Sequence, residues 1–167
     1  MGPADLLQNA TTTDSTGLWL LEATTGRPLQ HMVTLPGQDY PLSLNGVAAA
    51  DQHLYATCDY NGVVAWALRD GALQLQWQAP QTGAAEGTPA LADLNADGVA
   101  DVVCTVRDHG VVALNGRSGH PLWAVLDTLQ TLPQGSCMGS VALHEGNADG
   151  VADVLVGAPG RRVQPVT

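Results

Sequence analysis

The sequence predicts an all-β chain of four-stranded antiparallel sheets, and three observations predict it. First, apolar runs of four to six residues are broken throughout by Gly, Pro, Asn or Asp, with no sustained helical period. Second, one hairpin pattern occurs three times. It starts at Gly17, Gly62 and Gly110, so the starts lie 45 and 48 residues apart. Third, a longer segment beginning at Gly87 recurs 52 residues later at Gly139. Intervals of this size match one four-stranded blade of a β-propeller, in which each repeat is a supersecondary unit that buries its faces only against its neighbours.

The hairpins justify the outer strand pairs. Gly17-Leu-Trp-Leu-Leu, Gly62-Val-Val-Ala-Trp and Gly110-Val-Val-Ala-Leu are each followed by a turn of Gly, Asp, Ser or Thr and then by a second apolar run. The longer repeat justifies the inner pairs. Gly87-Thr-Pro-Ala-Leu-Ala and Gly139-Ser-Val-Ala-Leu-His each lead through an acidic stretch into a β-branched run. A third copy, Gly46 to Gln52 followed directly by His53 to Cys58, lacks a counterpart of Leu94 to Ala100. The acidic stretch is therefore an insertion between strands that persist without it.

Assembled, the reading gives a leader at 1–16 and then twelve strands, about three blades' worth: a partial blade at 17–35, blades at 42–79 and 88–126, and a partial blade at 139–167. Three blades seldom close a ring. Further blades in a longer parent chain, or self-association, are expected to complete it and to cover exposed strand edges.

Composition narrows the function. Sixteen Asp and Glu stand against six basic residues, all Arg, for a net charge of −10. That balance disfavours nucleic acid and anionic lipid as partners. No apolar run approaches the roughly 20 residues that cross a bilayer, and residues 1–17 hold no signal-peptide-like stretch. Cys58, Cys104 and Cys137 form no C-x-x-C pair; buried free thiols are the simpler reading of Cys58 and Cys104, with a disulfide the alternative.

Six acids fall in two short stretches. In Asp93-x-Asn95-x-Asp97-Gly98-Val99-x-Asp101 the side chains of Asp93, Asn95, Asp97 and Asp101 and the Val99 carbonyl supply oxygens around a bend that Gly98 permits. Such oxygen sets suit Ca2+, a hard cation. The second stretch offers Glu145, Asn147, Asp149, the Val151 carbonyl and Asp153, with Glu145 in place of the first Asp. An EF-hand would need a Glu at position twelve, where Cys104 and Val156 stand, and flanking helices. The competing reading is that Asp, Asn and Gly gather here because turns favour them, with no metal. Without a cation, the crowded carboxylates are expected to raise at least one pKa.

The stretch around residues 138–159 resembles an FG-GAP repeat of the integrin α-subunit type. Met138-Gly139-Ser140-Val141 stands where that family has Phe-Gly-x-Ser-Val, and Val156-Gly157-Ala158-Pro159 matches its Gly-Ala-Pro element; the 87–106 copy has Thr105-Val106-Arg107 instead. The hairpins around Thr25-Gly26-Arg27 and Ser118-Gly119-His120 are similar to repeats of pyrroloquinoline-quinone-type propellers, in which a Trp docks on the neighbouring blade. Trp77 and Trp123 occupy that place, with Gln30 or His31 in the first hairpin. These resemblances imply a calcium-binding propeller at or outside the cell surface, serving as a binding or adhesion scaffold for protein or carbohydrate. The alternative is a fragment of a quinoprotein-like enzyme. His31, His53, His109, His120 and His144 show no ligand spacing, and no nucleophile elbow, phosphate loop or zinc motif occurs.

Overall fold

The computed structural model describes residues 17–107, 110–126, 139–146 and 151–156. The expected leader at 1–16, Cys137, Met138, His109, Asn147, Asp149 and the Gly157-Ala158-Pro159 element lie outside them. Twelve strands and one 3₁₀ turn (Pro80–Thr82) make up the regular structure, with no α-helix among the described residues. The strands are β1 (Leu18–Leu21), β2 (Pro28–Met32), β3 (Leu44–Ala50), β4 (His53–Cys58), β5 (Gly62–Arg69), β6 (Ala72–Ala79), β7 (Ala85–Ala92), β8 (Asp101–Val106), β9 (Gly110–Leu114), β10 (Pro121–Leu126), β11 (Val141–His144) and β12 (Asp153–Val156).

They form four antiparallel sheets in simple meander order: β1-β2, β3-β4-β5-β6, β7-β8-β9-β10 and β11-β12. Each pairing is between chain neighbours, so every strand is closed by a local turn. The third sheet begins at Ala85, three residues before the blade expected at 88–126. Its first residues pair as Ala85 with Val106 and Glu86 with Thr105, and the ladder resumes at Ala90 with Val103. Gly87, at φ 65°, Thr88 and Pro89 fall in the gap. A proline has no N–H for the ladder, and a bulge is where a strand tolerates one.

The sheets stack face to face. Tyr55, Val63, Ala65 and Ala79 of the second sheet pack on Ala85, Val102, Cys104, Val106, Val112 and Leu114 of the third. Leu18, with Leu35 and Leu42 from the loop after β2, packs on Ala56, Cys58, Val64 and Trp66, on the other side of the second sheet. Val103 and Ala113 turn the opposite way to meet Val141, Leu143 and Val154 of the fourth. Side chains alternate faces along a strand, so β4, β5, β8 and β9, flanked by a sheet on each side, are apolar at consecutive positions.

At one edge of the stack the backbones touch. A Cβ on Gly46 of β3 would stand 2.4 Å from the Gly87 carbonyl oxygen of β7, and one on Gly87 would stand 2.7 Å from that of Gly139. Thr57 donates its hydroxyl hydrogen bond to the Gly87 carbonyl (2.6 Å), and Thr105, one 48-residue repeat on, lies 2.9 Å from the Gly139 carbonyl. The same hydroxyl-to-glycine contact thus joins the second sheet to the third and the third to the fourth.

The opposite edge is joined by side chains. The Trp77 indole N–H donates to the Gly116 carbonyl (2.8 Å), and its ring covers Gly119 so closely that a Cβ there would lie 2.6 Å from it. In the first sheet Gln30 takes Trp77's part. Its side chain accepts from the Leu73 N–H (2.7 Å) and faces the Leu73 carbonyl (3.4 Å) on β6.

Cys58 and Cys104 are buried free thiols. Burial, with Asp59 adding to it at Cys58, pushes both thiols up to about 12. Burial, helped by the Asp101 charge, does the same to the Tyr55 phenol. Each folded pKa lies above its unfolded value, about 8.5 for a thiol and about 10 for a phenol. The stabilisation is therefore complete below about pH 8.5 and is lost as pH rises towards 12. Urea midpoints should hold steady from pH 7 to 8.5 and fall progressively above it; a flat profile to pH 11 would contradict the burial of these groups.

Candidate metal centre

The acidic loop of the third sheet joins β7 to β8, and local hydrogen bonding shapes it. Asp93 accepts the Asp97 N–H on one carboxylate oxygen (3.1 Å) and the Gly98 N–H on the other (2.8 Å). Asn95 accepts the Asp97 N–H through its side-chain oxygen (2.9 Å), and Asp97 accepts the Val99 N–H (2.9 Å). Short Asp and Asn side chains bond the backbone two residues on, which makes the turn. Ala96 (φ 59°) and Gly98 (φ 81°) supply the left-handed backbone that folds these oxygens back over the loop.

Asp101 plays a different part. It is fully buried, and its two oxygens accept from the Leu94 N–H and the Gly116 N–H, each at 2.9 Å. One carboxylate therefore ties both ends of the loop to the β9–β10 turn. Tyr55 reinforces the joint from the second sheet, donating to the Ala100 carbonyl (3.1 Å).

The β9–β10 turn completes the surroundings of the loop, a contribution that motif spacing within 93–101 does not reveal. Asn115 donates to Asp97 Oδ2 (2.9 Å), and Arg117 donates to the Asp97 carbonyl (3.1 Å) with its guanidinium 3.9 Å from Oδ1. In the sequence these residues stand out only as the Asn115–Gly119 turn of the third hairpin. Asp97 is not a carboxylate whose pKa crowding raises. Its carboxyl lies below the usual aspartate value, held down first by Asn115, then by the Val99 N–H, with Arg117 adding to it. Donors, rather than neighbouring charges, dominate its field.

As a metal centre the loop is tested by its donors. Asp93, Asn95 and Asp97 present oxygen only, the ligand type calcium takes. Each carboxylate oxygen that accepts one N–H keeps a further lone pair. The three are gathered around one bend, whereas Asp101 is turned to the backbone. Among the described residues no three His, Cys, Asp or Glu side chains form a group that could hold a metal ion. The donor types at the bend, two carboxylates and one amide oxygen, are nevertheless those a hard cation takes. Peptide carbonyls, Val99's among them, and water would have to fill the remaining positions.

Of the second stretch, Glu145, Val151 and Asp153 are described, while Asn147 and Asp149 are not. Asp153 accepts the Gly146 N–H (3.0 Å), the counterpart of the Asp101 bond to the Leu94 N–H 52 residues earlier. The tie that closes the first loop is repeated in the second. The difference is exposure, since Asp153 lies at the surface.

A second polar cluster, absent from the sequence reading, spans the second and third sheets. Arg107 bridges Glu86 (2.5 Å) and Asp59 (3.1 Å), and Asp59 also accepts from Asn45 and Ser43. Those two donors, more than Arg107, hold the Asp59 carboxyl below its ordinary value. Glu86 is nearly buried, and a buried carboxylate requires such a partner. Its role is to join sheets.

No family model matches the chain, and no curated protein matches it in sequence.

Proposed function

We propose that the chain is a calcium-stabilised, propeller-type scaffold that binds a protein or carbohydrate partner, and that it is not a catalyst. One observation carries the calcium part of this reading: Asp93, Asn95 and Asp97 fold their side-chain oxygens over a single bend, with Gly98 at the turn. In the proposed site these three residues and the Val99 carbonyl face the ion, and Asp101 anchors the loop to Gly116 from beneath. Glu145, Asn147, Asp149, Val151 and Asp153 form the second site.

Bound calcium would neutralise the crowded acids and fix the loop between neighbouring strands. With few carboxylates per site, affinity is expected on the order of 10⁻⁴ to 10⁻³ M. Such sites fill where calcium is millimolar, which places the proposed work at or outside the cell surface. The stacked sheets, with the repeated glycine contacts at one edge, support the ring-like reading. Partner binding is assigned to the loops at the sheet ends, which rigid sheets position.

Calorimetry with calcium on the full chain and on Asp97→Ala and Asp149→Ala tests this. The expected result is uptake by the parent chain and loss of one site in each variant. No uptake, or unchanged stoichiometry in both variants, would sink the assignment.

A further inference from the structure

The joint between the second and third sheets has a knob and a socket. The knob is Trp77; the socket is the β9–β10 turn, where Gly119 is buried beneath the indole and the Gly116 carbonyl accepts its N–H. Both parts recur elsewhere in the chain, and there they are open.

The β1–β2 turn repeats the socket's backbone. The Gly119 N–H donates to the Asn115 carbonyl (2.7 Å) and the Asn115 N–H to the His120 carbonyl (2.8 Å); at β1–β2 the Gly26 N–H donates to the Glu22 carbonyl (2.8 Å) and the Glu22 N–H to the Arg27 carbonyl (2.9 Å). The two glycines share a left-handed backbone, φ 72° and φ 70°. Around Gly119 a Cβ would strike Trp77, whereas around Gly26 it would meet nothing within 4 Å. Ala23, at the place of Gly116, is exposed as well.

Trp123 is the matching knob. It stands on β10 in the register of Trp77 on β6, paired with Ala113 as Trp77 is with Ala65, and it is 36% exposed. Val125 on the same strand is 63% exposed. The open socket is bordered by Leu21 and Leu29, at 50% and 46%. Exposed apolar residues grouped in this way mark interaction surfaces, and one chain carries both.

We infer that a second copy of this chain docks head to tail, the Trp123 indole of one copy covering the Gly26 turn of the other. The occupant is a second copy because both halves of the joint are carried by one chain, and because the Trp77 joint already shows how they fit. The interface is heterologous, so it either closes between two copies or extends in series. It rests on the stacking of the sheets and not on the calcium reading, and EDTA should leave it intact.

Sedimentation velocity and light scattering on the full chain test it, with Trp123→Glu to remove the knob and Ala23→Arg to block the socket. The parent chain should associate with rising concentration, and each variant alone should do so more than tenfold more weakly, the scale of a lost Trp anchor of about 2 kcal/mol. Mixing the two variants should restore association, since the Ala23→Arg copy keeps its Trp123 and the Trp123→Glu copy keeps its Gly26 turn. A variant that failed to fold could not give that recovery. A parent chain monomeric at every concentration, association that survives both substitutions, or loss without recovery on mixing would each overturn the proposal. If calcium uptake fails while this pattern holds, only the proposed metal function falls.

Discussion

Replacing Gly46 by alanine is expected to destabilise the fold by about 3 kcal/mol, the upper range for overpacking a core. The new Cβ would stand 2.4 Å from both the Gly87 carbonyl oxygen and the Thr88 Cα. Both are backbone atoms of the neighbouring sheet, so no side chain can swing aside to relieve the contact. β3 and β7 would have to part, and the Thr57 hydrogen bond to Gly87 would lengthen with them. Gly71→Ala is the control. Gly71 has φ 77° but open space around it, so its cost is only the left-handed backbone, about 1 kcal/mol. Equal losses in urea melts of the two variants would show that the sheets are not in backbone contact at Gly46.

Trp77→Ala carries the second large effect, a loss of about 3 kcal/mol. The indole covers Gly119, packs near Tyr55 at 6.0 Å between ring centroids, and satisfies the Gly116 carbonyl. Trp77→Phe separates these contributions, since it keeps an aromatic face and removes the N–H, at a cost of about 1 kcal/mol. Near-equal stability of the alanine variant and the parent chain in urea would mean that the joint contributes nothing. The Trp77 joint is also where the acidic loop is anchored, because Gly116 accepts from Trp77 and donates to Asp101. Loosening it should therefore weaken calcium uptake as well.

The strands were readable because their signals are local. A hairpin needs a left-handed residue between two apolar runs, and Gly26, Gly71 and Gly119 mark three of them. The alignment of the Gly46 and Gly87 copies likewise separated the loop insertion from its strands, and β3 and β4 do join through Asp51 and Gln52 alone. The start of β7 was hidden because Gly87 and Pro89 resemble a break, although the ladder only skips them.

The donors within 93–101 were legible for the same reason, since Asp93, Asn95, Asp97 and Gly98 act on one another across two to five residues. What spacing could not give is any contact set by the order of strands. Asn115 and Arg117 reach Asp97 only because β9 lies beside β8, and Asp101 turns inward because Gly116 offers it an N–H. The Glu86–Arg107–Asp59 bridge depends on how two sheets stack, so its three residues carry no common motif.

A crystal structure grown in millimolar calcium, read by anomalous difference density, tests the central claim most directly. The account predicts an ion over the 93–99 bend, within about 2.3 to 2.6 Å of oxygens from Asp93, Asn95 and Asp97. Side chains of those residues still bonded only to the loop amides, with no density over the bend, would contradict it.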